Sequence, residues 1–385
     1  MGIQLNPSRT DASRAAVPPA RRRHPLRTAL LVLAGIVVLV TAAAGAYLFN
    51  LGQTFDSQAR IIESPFPPES SRPQPGSQAP AGEAAGQQAP DAPGNVPAAG
   101  PAAAEGTAGA AAGGLNILVM GSDSRGATVD EAVSGSSSNQ RADTLMLIHI
   151  PADRSNIFAI SLMRDLWVDI PGNGQAKINA ALAYGGVPLM VQTVESLFNQ
   201  RIDHVAMIDF EGFVGLTDAL GGVEVNIKQP FVSAHDGFNF KQGPKVLDGR
   251  HALEFVRERY AFRDGDYQRV RNQQAFVKAL FAKNLSAETL LNPVKVHNVV
   301  SSMAPYISVD RGLNAVALAG LAVELRNVRA GDMEMFTLPT LGVGTSVDGQ
   351  SIVLPNYAAI RDISEALAGD SLDTYVASKG LPDGH

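Results

Sequence analysis

HVAMIDFEGFVGLTDALGGVEVNI (204–227) reads as strand, helix, strand. HVAMIDF (204–210) is a short apolar run of strand length. EGFVGLTDAL (211–220) puts Phe213, Leu216 and Leu220 on one helical face, and Gly221-Gly222 stops it. VEVNI (223–227) returns to a strand. Working outward toward the N-terminus, LNILVM (115–120), ended by Gly121, DTLMLIHI (143–150) and NIFAISL (156–162) are three more strands, and helices are expected over 180–184 and 188–198, separated by Gly185-Gly186. Toward the C-terminus, helices are expected near 248–256, 267–284, 286–302, 311–326 and 356–368, with a strand at 333–338. Strands interleaved with helices predict an α/β layered domain over residues 115–385, with a central mixed β-sheet flanked by helices.

The segments before residue 115 differ in kind. Residues 29–49 carry no charge and would span about 31 Å as a helix, enough for a bilayer core of roughly 30 Å. A transmembrane helix is therefore expected over 29–50. Arg9, Arg14, Arg21, Arg22, Arg23 and Arg27 precede it, so the tail 1–28 is expected in the cytoplasm and the rest of the chain outside. Residues 51–114 are dominated by Pro, Ala, Gly, Ser and Gln, a composition that predicts a disordered extracytoplasmic linker. The net charge of −6 argues against nucleic-acid binding. The absence of cysteine removes disulfides, thiolate metal sites and thiol nucleophiles.

Charged residues are only 18% of the chain, yet RHALEFVRERYAFRDGDYQRVR (250–271) carries six arginines with Asp264 and Asp266 between them. Arginine presents a planar fork of donors that fits phosphate oxygens in pairs. Aspartates beside it are natural ligands for Mg²⁺, which takes its other ligands from water and phosphate. Further charges fall at strand ends: Asp123 and Arg125 after 115–120, Arg141 and Asp143 at the start of 143–150, Arg164 and Asp165 after 156–162. In layered α/β domains ligands gather there. Two residues apart on a helix, Arg257 and Arg259 would point in opposed directions; on an extended segment both would face one ligand. P-loop, G-x-S-x-G and H-E-x-x-H motifs are absent. The pattern predicts a phosphate-handling site.

Taken in order, NILVMGSDSR (116–125), RADTLML (141–147), SLMRDLWVDIPGNGQAKINAALAYGG (161–186), DHVAMIDFEGFVGLTDALGGVEV (203–225), LDGRHALEFVRERY (247–260) and GDYQRVRNQQ (265–274) resemble the LytR-CpsA-Psr family of cell-wall ligases. The resemblance implies a membrane-anchored extracytoplasmic phosphotransferase. Its donor is a glycopolymer on a polyprenyl diphosphate lipid and its acceptor is peptidoglycan; a phosphodiester forms between them. By the same resemblance Asp123 and Asp266 match positions that bind Mg²⁺ (or Mn²⁺). Arg141, Arg164, Arg257 and Arg259 match the arginines that hold the diphosphate, Arg269 and Gln273 match residues lining the site, and Asp165 and Lys177 match positions that orient arginines; Lys177, Arg269 and Gln273 are also expected among the residues that bind the diphosphate. Met163 stands where the family commonly has proline, and Asn272 where some members carry arginine. Asp123 is the candidate general base, acting either directly or by placing the metal. Helices 188–198 and 211–220 are expected to supply an apolar groove for the lipid. The rival expectations are a lipid diphosphate phosphatase using the same residues with water as acceptor, and a non-catalytic wall-binding or regulatory protein.

Overall fold

A seven-stranded mixed sheet carries the expected strands in the computed structural model, which describes residues 52–74, 113–123, 141–284 and 292–381. All of these belong to the compact unit Asn50–His385. The strand order is β1 (Arg60–Ile62), β12 (Ser308–Asp310), β7 (His204–Asp209), β2 (Leu115–Asp123), β3 (Arg141–Ile150), β4 (Ile157–Ser161), β13 (Met333–Thr337). β2 runs parallel to β7 and antiparallel to β3; β4 is antiparallel to β3 and parallel to β13.

Alternation along the strands sorts the two faces. Leu118, Met120, Leu145 and Leu147 pack with Met190, Val194 and Phe198 of the helix Ala180–Phe198. Ile117, Met146, Ile148 and Ala159 face the other way, toward Leu325, Val328 and the helix Asp266–Asn284. The two helices expected over 180–184 and 188–198 form one element broken at Gly185 and Gly186, whose φ values of −150° and 63° are not helical. The fold-deciding stretch also departs from the simplest layout. β7 lies in the central sheet, but β8 (Val223–Ile227) leaves it and pairs antiparallel with β11 (Gly243–Leu247). Its Val223, Val225 and Ile227 close a second core with Phe231 of β9 (Phe231–Val232), Phe240 of β10 (Asn239–Phe240) and Phe255. Two hairpins, β5 (Trp167–Ile170) with β6 (Gly174–Lys177) and β14 (Thr340–Thr345) with β15 (Ser351–Pro355), were not expected from the sequence.

The expected cytoplasmic tail 1–28 and transmembrane helix 29–50 lie outside the described residues, as do positions 75–112 of the expected linker. Among the described residues no helix is long and apolar enough to cross a membrane. The linker expectation is corrected at its start. Residues 52–58 are helical, Phe55 and Ile62 are buried in the folded unit, and β1 pairs in parallel with β12. Arg72 then clamps the segment by Nη2 to the buried Glu195 at 2.7 Å. Residues 75–114 dominate the composition of the linker, and their Pro, Ala and Gly hid the apolar anchors Phe55, Ile61 and Ile62.

Candidate active site

Val119, Gly121 and Asp123 share one face of β2 and look toward the helices beyond it. The expected strand stopped at Met120, with Asp123 in a following loop; instead β2 continues through Asp123, which pairs in register with Arg141. Between them the register slips: Gly121 faces Thr144 while Ser122 faces Ala142, so Asp143 is an extra residue on β3. Such a bulge re-aims side chains, and both Asp143 and Thr144 line the same cavity as Asp123. Gly121 is needed at the slip, because a Cβ there would lie 3.0 Å from Thr144 Cβ.

That cavity is about 380 Å³ and lies between the sheet and the helices Phe210–Ala219, Gly249–Arg257 and Asp266–Asn284. Its charged lining comprises Asp123, Asp143, Arg164, Arg257, Arg259 and Arg269. Asp266 ties the arginines together from behind: its Oδ2 is 3.3 Å from both Arg164 Nε and Arg269 Nη2, and its Oδ1 is 3.6 Å from Arg259 Nη1. Burial pushes the Asp266 carboxyl up, but Arg269, Arg164 and Arg259 outweigh it and hold it below the usual carboxylate range. Burial pulls the Arg269 guanidinium down, Asp266 opposes this, and the neighbouring arginines add to the fall. Arg164 donates to Asp143 at 2.5 Å, and its carboxylate partners keep it fully charged despite burial.

The helix Gly249–Arg257 ends at Arg257, and Glu258 is extended with φ −63° and ψ 129°. The helical and extended alternatives for Arg257 and Arg259 therefore meet at Glu258, and both guanidinium groups line the cavity. Arg257 stacks on Phe210, 4.4 Å from the ring centre. Glu258 was missed by the sequence reading. It is fully buried, and its Oε1 accepts from the backbone N–H of Arg259 (2.9 Å), Tyr260 (2.7 Å) and Ala261 (3.1 Å). Its Oε2 accepts from Ala234 at 2.6 Å. Burial raises this carboxyl, yet the four backbone donors win and depress it. The signal was present as a charged residue between two site arginines, but sequence alone gave it no partner.

The other expected residues divide. Gln273 lines the cavity and donates to the Val256 carbonyl at 3.2 Å. Lys177 and Asp165 are not among the lining residues. Lys177 pairs with Asp165 at 3.3 Å, and Asp165 approaches Arg164 Nε at 3.9 Å, so both lie behind the arginine. Arg141 is exposed at the start of β3 and is not brought to the cavity wall; only its backbone N–H reaches the site, donating to Asp123 Oδ1 at 3.2 Å. Arg125 lies outside the described residues. The apolar lining comes from Phe213 and Leu216 of the expected helix, from Phe210, which was expected to close the preceding strand and instead opens the helix, and from Phe276, Val277 and Leu280. The helix 188–198 does not contribute: Met190, Val194 and Phe198 are spent in the main core.

Among the described residues no group of three or more His, Asp or Glu fits a metal ion. Asp123 in the cavity and Asp266, whose buried Oδ1 accepts no hydrogen bond, offer two carboxylates. Two carboxylates suit Mg²⁺ that takes its remaining ligands from phosphate and water.

Comparisons with known proteins agree with one another. The LytR_cpsA_psr family profile matches residues 85–369. The cell wall biosynthesis protein LcpA of Corynebacterium glutamicum is 30% identical over 298 residues, covering 68% of this chain and 57% of LcpA. The polyisoprenyl-teichoic acid–peptidoglycan teichoic acid transferase TagU of Oceanobacillus iheyensis is 30% identical over 261 residues, 66% of this chain and 75% of TagU. The crystal structure of B. subtilis TagV shares the fold with a TM-score of 0.58 at 22% identity, over 68% of this chain and 98% of TagV. The chain spans a little over half the length of LcpA.

Proposed function

We propose, from the premise that this chain belongs to the LytR_cpsA_psr family, that it attaches a glycopolymer to peptidoglycan by phosphoryl transfer from a polyprenyl diphosphate carrier. Relatives named for cell wall biosynthesis and for teichoic acid transfer to peptidoglycan support this reading. The observation that carries it is one cavity lined by four arginines together with phenylalanine and leucine side chains. That combination suits a ligand with a charged diphosphate and an apolar tail. The reading includes an N-terminal membrane anchor over 29–50 and an extracytoplasmic domain, consistent with the arginine-rich tail and the uncharged run after it.

Phosphoryl transfer asks chiefly for positioning and for neutralising charge on the transferred group. Arg164, Arg257, Arg259 and Arg269 outnumber Asp123, Asp143 and Asp266 by one charge, so the pocket attracts an anion while holding its arginines rigid. Asp266 fixes Arg164, Arg259 and Arg269, and Phe210 fixes Arg257. Asp123 faces the cavity and takes the proton of the acceptor hydroxyl. Asp123 and Asp266 would hold Mg²⁺, which supplies Lewis-acid neutralisation of the phosphate oxygens. The leaving polyprenyl phosphate departs as an anion and requires no acid.

The test mixes the full chain in detergent with a lipid diphosphate-linked oligosaccharide and a peptidoglycan oligomer, with Mg²⁺ or chelator, beside Arg259→Ala. A metal-dependent glycan–peptidoglycan adduct, reduced at least about a hundredfold in the variant, is the expected result. Cleavage of the diphosphate without adduct would replace this reading by a phosphatase, and intact lipid in every condition would replace it by a binding role.

A further inference from the structure

The diphosphate of the proposed donor has two substituents, a lipid and a glycan. Phe213, Leu216 and Phe276 in the cavity lining suit the lipid and leave the sugar without a counterpart. Two aromatic residues of a different kind also line the cavity, Tyr260 and His235. Tyr260 is 65% exposed and His235 is exposed as well, so neither ring serves the core. The rings meet edge to face, with centres 6.1 Å apart. Arg259 lies over the Tyr260 ring, 4.5 Å from its centre, and donates from Nη2 to the Tyr260 hydroxyl at 2.5 Å. The aromatic pair therefore starts at one of the cavity's arginines and leads toward solvent.

Both rings sit on fixed backbone. His235 belongs to the loop between β9 and β10, which pair antiparallel and bury Phe231 and Phe240 in the second core. Within that loop Ser233 Oγ accepts from the His235 N–H at 3.2 Å and donates to Glu254 at 3.0 Å. Glu258 joins the loop to the segment that carries Tyr260. Its Oε2 accepts from the N–H of Ala234, next to His235, at 2.6 Å, and its Oε1 from the Tyr260 N–H at 2.7 Å. A tyrosine that only supported Arg259 would not need His235 tied beside it by the same buried carboxylate. A pyranose ring has an apolar face of C–H groups and a rim of hydroxyls. An exposed aromatic face with phenol, imidazole and guanidinium groups around it complements both. Because the backbone under the rings is already ordered, little conformational freedom is lost when a sugar binds.

We propose that Tyr260 and His235 form a saccharide platform at the mouth of the arginine cavity, on which the sugar bonded to the donor diphosphate stacks. The platform rests on the reading of the chain as a glycopolymer transferase. It makes Tyr260 a residue that selects donors by their first sugar, whereas the arginines hold any diphosphate.

The experiment titrates the full chain in detergent with Mg²⁺, by calorimetry, using two probes of equal charge: geranyl diphosphate carrying N-acetylglucosamine, and geranyl diphosphate carrying a methyl group instead. The sugar probe is expected to bind the native protein about tenfold more tightly than the methyl probe. Tyr260 also supports Arg259, so the readout is the ratio between the two probes, which loss of arginine support alone does not move. Tyr260→Leu should abolish the preference and His235→Ala should reduce it, both with Tm unchanged because the side chains are exposed. Tyr260→Phe keeps the ring and loses the bond to Arg259, and should retain the preference. Equal affinity of the native protein for both probes, or a preference that survives Tyr260→Leu, overturns the platform; if both probes still bind and Arg259→Ala releases both, the diphosphate reading stands without it. Binding of neither probe overturns both. A Tyr260→Leu protein that keeps its donor preference but has a raised KM for a peptidoglycan oligomer assigns the rings to the acceptor strand and also overturns the proposal.

Discussion

Glu258→Gln tests whether one buried carboxylate sets the loop that carries Arg259. The native side chain takes three backbone donors on Oε1 and one on Oε2. Glutamine keeps an acceptor for Arg259, Tyr260 and Ala261, but as neutral bonds, each weaker by roughly 0.5 kcal/mol or more than the charged ones. Its NH₂ group would face the Ala234 N–H, donor against donor, leaving a group unpaired at about 1–3 kcal/mol. The sum is about 3 kcal/mol at neutral pH. The sign with pH follows from the depressed carboxyl. Its stabilisation is complete above the ordinary glutamate value near 4.5 and is lost as pH falls through the lower folded value. Urea unfolding of both proteins from about pH 7 down to about pH 3 should show a gap that is full at neutral pH and shrinks below about 4.5. The proposed transfer should fall about 100-fold, because the Arg259 guanidinium is no longer placed. A gap within about 0.5 kcal/mol at neutral pH, or one that does not change in acid, refutes the reasoning.

Three further substitutions compare buried with exposed charge. Arg72→Ala leaves Glu195, 1% exposed, without its 2.7 Å partner and should cost about 3–5 kcal/mol in urea unfolding. Arg311→Ala, which breaks an ion pair with Glu63 at the surface, should cost less than about 1 kcal/mol in the same assay. Asp266→Asn removes the carboxylate shared by Arg164, Arg259 and Arg269, and should lower stability by about 3–5 kcal/mol. Added pyrophosphate should raise the Tm of that variant by more than it raises the native protein's, because the arginines have lost their internal counter-ion; an equal rise in both would show that they do not face the ligand.

Much of the framework was legible because strand and helix periods are strong signals. β2, β3, β4 and β7 and the helices that face them fall within a few residues of expectation. The hairpins β5–β6 and β14–β15 escaped because the former is a pair of four-residue strands and the latter, TLGVGT, alternates glycine with exposed residues. The anchors at Phe55 and Ile62 escaped because a few apolar side chains are diluted in a polar, proline-rich window, and their partners, β12 among them, lie far along the chain. In the candidate site, residue types were readable and positions only partly so. Asp143 turns inward through a one-residue register slip, and Arg141 stays outside although it opens the same strand. Neither outcome is written in the local sequence, because each depends on how β3 meets β2.

The helix Asp266–Asn284 shows where local pattern and function part company. A helix that merely covers a core keeps one apolar stripe inward. This one buries Gln268, Arg269, Asn272, Gln273 and Gln274 beside Val270 and Phe276. Burial of so many polar groups requires partners, and the partners are specific. Asn272 and Gln273 donate to the carbonyls of Phe255 and Val256, in the last turn of the helix that ends at Arg257. Those carbonyls find no donor within their own helix, since the final turn lacks the N–H groups that a further turn would bring. Helix-end satisfaction and arginine placement are thus one interaction: the amides that cap the helix fix where Arg257 leaves it, and Glu258, one residue on, fixes where Arg259 begins. The polar residues that spoil the apolar stripe of the helix are the ones that aim the cavity's arginines.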